Sequence, residues 1–123
     1  MAYSTIPKGS LYMNTKLYTG NGSTQSITGV GFKPDWVWVK QRGGTTNHKT
    51  SDIVRGVTLA LQPNDADAEA TDSNGITSFD SDGFSLGAGG DYNGSSNTQV
   101  SWNWKANGQG SPNTDGSINT TYT

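Results

Sequence analysis

The stretch that decides the fold is DWVWVKQR, residues 35–42. Tryptophan and valine alternate in it, so that Trp36 and Trp38 share one face of the segment while Val37 and Val39 share the other. A period of two is the pattern of a β-strand, in which successive side chains point to opposite sides. Because both faces begin with apolar side chains, the sequence predicts a strand that is buried on both faces near its start.

A second stretch, TQVSWNWKA at residues 98–106, repeats the pattern with one apolar and one polar face. Val100, Trp102 and Trp104 fall on the apolar face. The other face is polar and consists of Gln99, Ser101, Asn103 and Lys105. This alternation is typical of an antiparallel strand with one face in water. We therefore expect a structural role in the core for all four tryptophans, although indole rings paired in this way also suit stacking on sugar rings.

Further short strands are predicted at residues 16–19, 26–30, 56–62, 76–79 and 84–86, separated by glycine-rich turns. Residues 48–62 fit a helical stripe as well as a strand; Gly56 and the following Pro63 favour a strand after Gly56. Many short strands with turns between them indicate an all-β fold, an antiparallel β-sandwich that is jelly-roll-like. The predicted organisation is an N-terminal arm at 1–14, the sandwich at 15–106, and a tail or linker rich in Gly, Asn, Ser and Thr at 107–123.

The composition excludes several classes of function. Glycine, serine, threonine and asparagine make up 58 of the 123 residues, only 15% of residues are charged, and the net charge is −2. Lysine and arginine occur singly, so we expect no nucleic-acid partner. The sequence contains no cysteine and one histidine, which argues against most metal and cofactor sites. The chain has no apolar run long enough for membrane insertion or for a signal peptide, so we expect it to be used without Sec export.

Candidate sites are few, and none predicts an enzyme. His48 and Asp52 lie four residues apart, but no Gly-x-Ser-x-Gly turn supplies a nucleophile, so we predict no catalytic residue. Asp80 and Asp82 resemble the start of a calcium loop without its final bidentate ligand, which makes them weak calcium candidates at most. Their more ordinary role is a tight turn. We expect no cofactor.

The glycine-rich loop GAGGDYNGSSN, residues 87–97, is the sequence's best candidate for an exposed contact. A rigid aromatic ring between Gly, Ser and Asn residues is typical of adaptable binding loops. We therefore predict that Tyr92 and Asn93 bind a partner. The polar loop around His48 forms the rest of the predicted rim, and a surface glycan is the ligand that such a rim would bind.

Four blocks of sequence occur in a familiar order: residues 18–40, then His48-x-x-x-Asp52-x-Val-Arg-Gly56, then GITSFDSDGFSLG at 75–87, and VSWNWKANG at 100–108. Over about residues 17–106, this series resembles a repeat domain of tailed-phage virion proteins, the tail-fibre-like structural proteins of marine phages. The resemblance implies a non-enzymatic structural or host-binding role and supplies no catalytic residues. Relatives commonly continue into further modules, so we expect this chain to belong to a longer product or a small subunit.

The same pattern places Arg55, one of only two arginines, between Val54 and Gly56. Its forked guanidinium suits a clamp between loops, with Asp52 or the SFDSDGF turn as its acceptor. We expect a virion protein of the tail or tail fibre, assembled in the host cytoplasm. Its expected partners are copies of itself or neighbouring virion proteins, which extended arms bind by adding a strand to a sheet. A glycan-binding module and a capsid decoration or filament subunit are the alternatives.

Overall fold

The computed structural model describes residues 7–106, 112–113 and 120–121. The strands in this part of the chain are β1 Met13–Thr19, β2 Gln25–Ile27, β3 Trp36–Gln41, β4 Lys49–Asp52, β5 Leu59–Ala60, β6 Ala70–Thr71, β7 Ile76–Asp80, β8 Gly83–Leu86, β9 Thr98–Trp104, β10 Pro112–Asn113 and β11 Thr120–Thr121. They form a four-stranded sheet in the order β1-β9-β3-β4 and a three-stranded sheet in the order β2-β8-β7. Two short pairs, β5-β6 and β10-β11, accompany them. Every pairing is antiparallel.

The hydrophobic core lies between the two larger sheets. Its residues come from β2, β3, β7, β8 and the loop before β9, and they are Ile27, Val37, Val39, Ile76, Phe84, Leu86 and Tyr92. Tyr18 of β1 packs on this cluster, with its ring edge-to-face against Phe84 at a centroid distance of 6.4 Å. The antiparallel β-sandwich expected from the sequence is confirmed. The jelly-roll variant of that fold stays a prediction.

Strand β9 turns its polar side to the core, opposite to what the sequence predicts for it. Val37 and Val39 point inward as expected, but so do the polar residues of β9, Gln99, Ser101 and Asn103, which are 0% exposed. All four tryptophans therefore lie on the outer face, and the prediction that they fill the core is wrong. Alternation divides a strand into two faces without showing which one turns inward.

The packing of the opposite sheet explains why the valines of β3, and not its tryptophans, face the core. A gap of about 10 Å separates packed sheets, and the large side chains of Phe84 and Leu86 already occupy it from β8. The small Val37 and Val39 complete this layer, whereas indole rings in their place would overfill it. Because β3 is apolar on both sides, its sequence fits either orientation.

The region between residues 48 and 62 differs from the prediction. The longer strand in it is β4. Within the predicted strand 56–62, Leu59–Ala60 form the short β5, and Leu61 pairs with Thr50 through an isolated bridge. Gly56 has φ +109° and its N–H donates to the carbonyl of Asp52 at 3.0 Å, which closes a turn directly after β4. Gly56 thus ends one strand instead of opening the next.

The N-terminal arm is shorter than predicted, because β1 begins at Met13. Met13 lies opposite Trp104 and Asn14 opposite Asn103, so the last two residues of the predicted arm belong to the sheet. The carbonyl of Tyr12 also accepts the N–H of Lys105 at 2.7 Å. Residues 1–6 of the arm, and residues 107–111, 114–119 and 122–123 of the tail, lie outside the described residues.

Helical structure in the described part of the chain consists of short turns. Gly9–Leu11 form one turn of 3-10 helix before β1, and Gly90–Asn93 form α1 in the loop between β8 and β9. Through α1 the backbone carries Tyr92 and Asn93 into the interior. No helix in these residues has the length and apolar character needed to cross a bilayer.

Candidate functional site

The most unusual surface of the molecule is the outer face of the four-stranded sheet. We call the group formed by Trp36, Trp38, Trp102 and Trp104 the tryptophan face. Strands β3 and β9 are neighbours, and their register places Trp36 opposite Trp104 and Trp38 opposite Trp102. Trp36 is 39% exposed and the other three rings are half-buried. Soluble proteins rarely leave large apolar side chains clustered at their surface, and such a cluster indicates an interaction surface.

The two cross-strand pairs have different geometries. Trp36 stacks on Trp104 with a centroid distance of 4.5 Å and an interplanar angle of 25°. Trp38 and Trp102 meet nearly edge-to-face, at 6.2 Å and 74°. Both arrangements are favourable for aromatic rings, and such pairs stabilise a sheet by about 0.5–1.5 kcal/mol beyond the area that they bury. The stacked pair therefore forms a platform, and the perpendicular pair forms a corner.

His48 completes this corner. The indole N–H of Trp38 donates to His48 Nδ1 at 3.0 Å, and the two rings meet edge-on with centroids 5.7 Å apart. Because Nδ1 accepts this hydrogen bond, the neutral imidazole carries its proton on Nε2. The backbone N–H of His48 is held in turn by the side-chain oxygen of Asn64 at 2.8 Å. Asn64 thus fixes the backbone position of His48, and Trp38 fixes its tautomer.

A shallow apolar groove of about 240 Å³ lies in the corner, lined by Trp38, His48, Trp102 and Trp104. Its lining contains no lysine, arginine, aspartate or glutamate. His48, which the sequence predicts as part of a binding surface, thus lies beside the tryptophans. A second hollow, of about 190 Å³, lies on the three-stranded sheet among mostly polar side chains: Thr24, Gln25, Ser26, Thr77, Ser85 and Leu86.

Tyr92 and Asn93 do not form the exposed binding loop that the sequence predicts. Tyr92 is 1% exposed and belongs to the core, and its carbonyl accepts the hydroxyl of Tyr18 at 2.7 Å. Asn93 is fully buried, and its amide donates to the carbonyls of Ser23 and Gly87. Both predictions are wrong, because α1 turns these side chains inward, where Asn93 ties the start of β2 to the loop after β8.

Burial has the expected electrostatic effect on these tyrosines. Removal from water raises the pKa of Tyr18, with a further contribution from the neighbouring Tyr92. Removal from water also raises the pKa of Tyr92, and the carboxylates of Asp72 and Asp91 add to this shift. Both phenols therefore remain neutral at any ordinary pH, and they act as packing and hydrogen-bonding groups.

Asp80 and Asp82 have separate partners and do not converge on a common point. The carboxylate of Asp80 accepts the hydroxyls of Ser78 and Ser85 at 2.8 and 2.7 Å. Asp82 accepts the backbone N–H groups of Gly29 and Gly31 at 2.9 and 2.7 Å, and these bonds lower its pKa. Among the described residues, no three His, Cys, Asp or Glu side chains group as metal ligands. The geometry therefore gives the calcium interpretation no support.

Arg55 lies where a clamp is expected, at the outer end of β4. Its Nε donates to Asp52, and Nη1 donates to Glu69 at 3.0 Å. Its Nη2 also donates to the carbonyl of Thr50 at 3.3 Å. The second carboxylate is thus Glu69, and not the SFDSDGF turn that the sequence offers as an alternative. Partial burial raises the pKa of Asp52, but hydrogen bonds from the backbone and side chain of Arg55 and from the Val54 N–H outweigh it and lower that pKa.

Sequence reasoning missed that the tryptophans form a surface. The available signal was the mixed character of β9, where each indole alternates with a side chain able to hydrogen-bond inside a protein. Asn103, for example, donates to the carbonyl of Asn14 at 3.1 Å and to the hydroxyl of Ser101 at 3.1 Å. Polar residues that satisfy one another in this way can face inward.

Comparison with known proteins gives a family without an assigned activity. Neither the curated proteins nor the solved structures contain a match to this chain. A family model described as a domain of unknown function (DUF7483) matches residues 8–123, and the chain therefore belongs to this family.

Proposed function

We propose that this domain is a non-enzymatic structural module of a tailed-phage virion, placed in the tail or tail fibre, and that the tryptophan face is its contact surface. The order of its four sequence blocks, which resembles that of phage virion repeats, supports the virion part of this proposal. The observation that carries the contact surface is the position of Trp36, Trp38, Trp102 and Trp104 on the solvent side of the sheet.

Energetic reasoning supports a binding role for this face. An indole that is only partly covered forgoes part of the roughly 1.5–3 kcal/mol that complete burial of a large apolar side chain contributes. The fold leaves four such rings outside while burying Gln99, Ser101 and Asn103 inside. A partner that covers the rings recovers the missing stabilisation, and aromatic residues are enriched in such contacts.

The virion part is tested by locating the domain on particles. Antibodies raised against residues 7–106 are applied, with gold labels, to purified particles of a phage that encodes this chain. We expect gold on the tail or its fibres. Gold confined to the capsid supports the decoration alternative, and particles free of both gold and this chain overturn the proposal.

The arm remains part of the same proposal, with a boundary corrected by β1. Removal of residues 1–14 would take Met13 and Asn14 out of the sheet and disturb its pairing with β9. Removal of residues 1–8 leaves that pairing intact, so this shorter deletion should give a folded domain that fails to assemble with neighbouring copies. Assembly that survives the deletion would show that the arm is not the connecting element.

A further inference from the structure

We infer that the groove lined by Trp38, His48, Trp102 and Trp104 binds one neutral pyranose ring of a glycan. This inference rests on the proposed function, because it takes the tryptophan face as the contact surface and names its ligand. Four features of the site carry it: the size of the face, the shape of the groove, its one fixed polar group and its lack of charge.

The size of the face favours a small ligand over a whole protein subunit. The tryptophan face consists of four indole rings, with His48 beside them. A stable protein interface buries about 800 Å² of accessible surface and takes roughly 20–30 residues from each partner. Three of the four tryptophans are already half-buried by their own neighbours, which reduces the available surface further.

The shape of the groove matches a sugar ring. Trp38 and Trp102 meet at 74°, so one indole can lie under a ring while the other borders its edge. A pyranose has a face of C–H bonds and a rim of hydroxyl groups. The electron-rich face of an indole attracts such polarised hydrogens, and the apolar ring area loses water on contact. The space of about 240 Å³ is below the 300–1,000 Å³ of a typical ligand pocket and suits a single ring.

The polar group needed to orient a hydroxyl is His48. Its Nδ1 is occupied by the Trp38 indole N–H, so Nε2 carries the proton that a sugar oxygen can accept. Thr15 stands directly opposite Trp102 on β1 and has an exposed side chain, which adds a hydroxyl at the border of the groove. A few fixed polar groups beside aromatic walls are the usual composition of a small-molecule site.

The charge of the groove determines which sugars fit. Its lining contains neither a cation to pair with a sugar carboxylate nor an anion to pair with an amino sugar. Transfer of an unpaired charge from water into an apolar groove is unfavourable. We therefore expect neutral pyranoses to bind and uronic acids to be rejected.

The test follows the four indole N–H resonances of the ¹⁵N-labelled chain by NMR. The probes are maltose, cellobiose, lactose and N,N′-diacetylchitobiose, with glucuronic acid as the charged control. We expect at least one neutral probe to shift the resonances of Trp38, Trp102 and Trp104 with a dissociation constant in the millimolar range. Glucuronic acid should leave them in place.

Two variants separate the groove from other exposed aromatic surface. Trp102→Ala should weaken binding by about tenfold or more, since it removes a stacking surface. Tyr12→Ala removes an exposed aromatic ring that belongs neither to the tryptophan face nor to the groove lining, and should change affinity by less than about twofold. A near-UV circular dichroism spectrum verifies that each variant is folded. In the unmodified chain, shifts that are confined to the groove indoles locate the bound sugar without any substitution.

The outcomes are distinct from those of the virion test. Absence of shifts with all four neutral probes, or equal binding by Trp102→Ala and the unmodified chain, overturns the sugar inference and leaves the virion proposal standing. Concentration-dependent shifts of the same indoles without any sugar identify a second copy as the occupant, and they also overturn the inference. Sugar binding by a domain that gold labelling does not find on particles keeps the sugar site and rejects the virion proposal.

Discussion

The two faces of the four-stranded sheet carry side chains in the reverse of the usual arrangement. On the inner face, β9 presents Gln99, Ser101 and Asn103, all without exposure to solvent. On the outer face, the same strand presents Trp102 and Trp104. The difference teaches that burial in a sandwich is decided by the fit between two sheets, and that the largest apolar side chains need not be the buried ones.

Several polar groups of the inner face have hydrogen-bond partners, whereas Asn103 Oδ1 and both amide atoms of Gln99 have none among the described residues. The amide of Asn103 reaches both Asn14 and Ser101, and the hydroxyl of Ser51 donates to the carbonyl of Leu59 at 2.8 Å. Buried polar groups that are hydrogen-bonded cost little, whereas unpaired ones are expensive. The outer face needs no such pairing, and its indoles remain available to a ligand.

The largest expected effect tests this division directly. Phe84→Ala removes a fully buried ring opposite the inner face and should lower the free energy of unfolding by about 3–5 kcal/mol. Trp36→Ala removes a larger ring from the outer face, where the stack on Trp104 and the tilted contact with Trp38 are lost, and should cost about 1 kcal/mol. Urea unfolding followed by far-UV circular dichroism measures both values.

Equal losses in the two variants would contradict the comparison, because they would place Trp36 in an interior as tightly packed as that of Phe84. A change in the slope of the unfolding transition would point to an altered denatured or native state. An unchanged slope in both variants therefore shows that the difference between them is a difference in the free energy of unfolding.

Much of this fold is predictable from alternation and turns. The pattern of DWVWVKQR and TQVSWNWKA identifies β3 and β9, and glycine-rich turns mark the limits of β7 and β8 to within a residue or two. The sequence does not identify β4, because KTSD at residues 49–52 has only one β-branched residue, Thr50, and no aromatic side chain to signal a strand. Its pairing with β3 and the clamp of Arg55 supply what local preference does not.

The site is less predictable than the fold. Trp38 and Trp102 become neighbours only through the register of β3 and β9, which are about sixty residues apart in the chain. Tyr92 is misplaced for the same reason, since the short helix that turns it inward is set by contacts with distant strands. Among the residues that line the groove, His48 is the one that the sequence predicts as a binding residue, and its orientation depends on the Trp38 indole.

The next effect tests the edge of the sheet beside the tryptophan face. Asp52 lies opposite Trp36, and Arg55 links it to Glu69 and to the carbonyl of Thr50. Arg55→Lys keeps the charge but loses the fork, so the free energy of unfolding should fall by about 1–2 kcal/mol. Thermal unfolding measures it.

The second arginine provides the matched control for this substitution. Arg42 is exposed, and Arg42→Lys should shift the free energy of unfolding by less than about 0.5 kcal/mol. Similar shifts in the two variants would mean that the clamp contributes nothing beyond the charge of Arg55.

A smaller effect concerns the buried amide of Gln99 on the inner face. Neither amide atom of Gln99 has a hydrogen-bond partner among the described residues, although the side chain is fully buried. Gln99→Met has a similar shape without the amide, so it should raise the free energy of unfolding by about 1 kcal/mol. The control is Gln41→Met at the opposite, half-buried position of β3, which should be nearly neutral. Destabilisation by Gln99→Met would show that the amide is satisfied in solution.

The smallest effect is a response to pH that begins on the outer side of the sheet. The pKa of Asp52 is lower in the folded chain than in the unfolded one, despite its partial burial, because Arg55 and the Val54 N–H bind the charged form. Asp52 therefore stabilises the fold above its unfolded pKa of about 3.9. That contribution is lost as the pH falls through the lower folded value.

Because Asp52 lies beside Trp36, its protonation should change tryptophan emission in acid before the tyrosine bands of the core in near-UV circular dichroism change. In Asp52→Asn this early step should be absent, with a loss of stability at neutral pH below about 1 kcal/mol.

Asp82→Asn is the control. Backbone N–H groups of Gly29 and Gly31 lower the pKa of Asp82, but these bonds hold the loop between β2 and β3 and involve no residue of the tryptophan face. It should leave the emission step intact. Simultaneous changes in the tryptophan and tyrosine signals of the unmodified chain would show instead that the outer face and the core lose their structure as one unit.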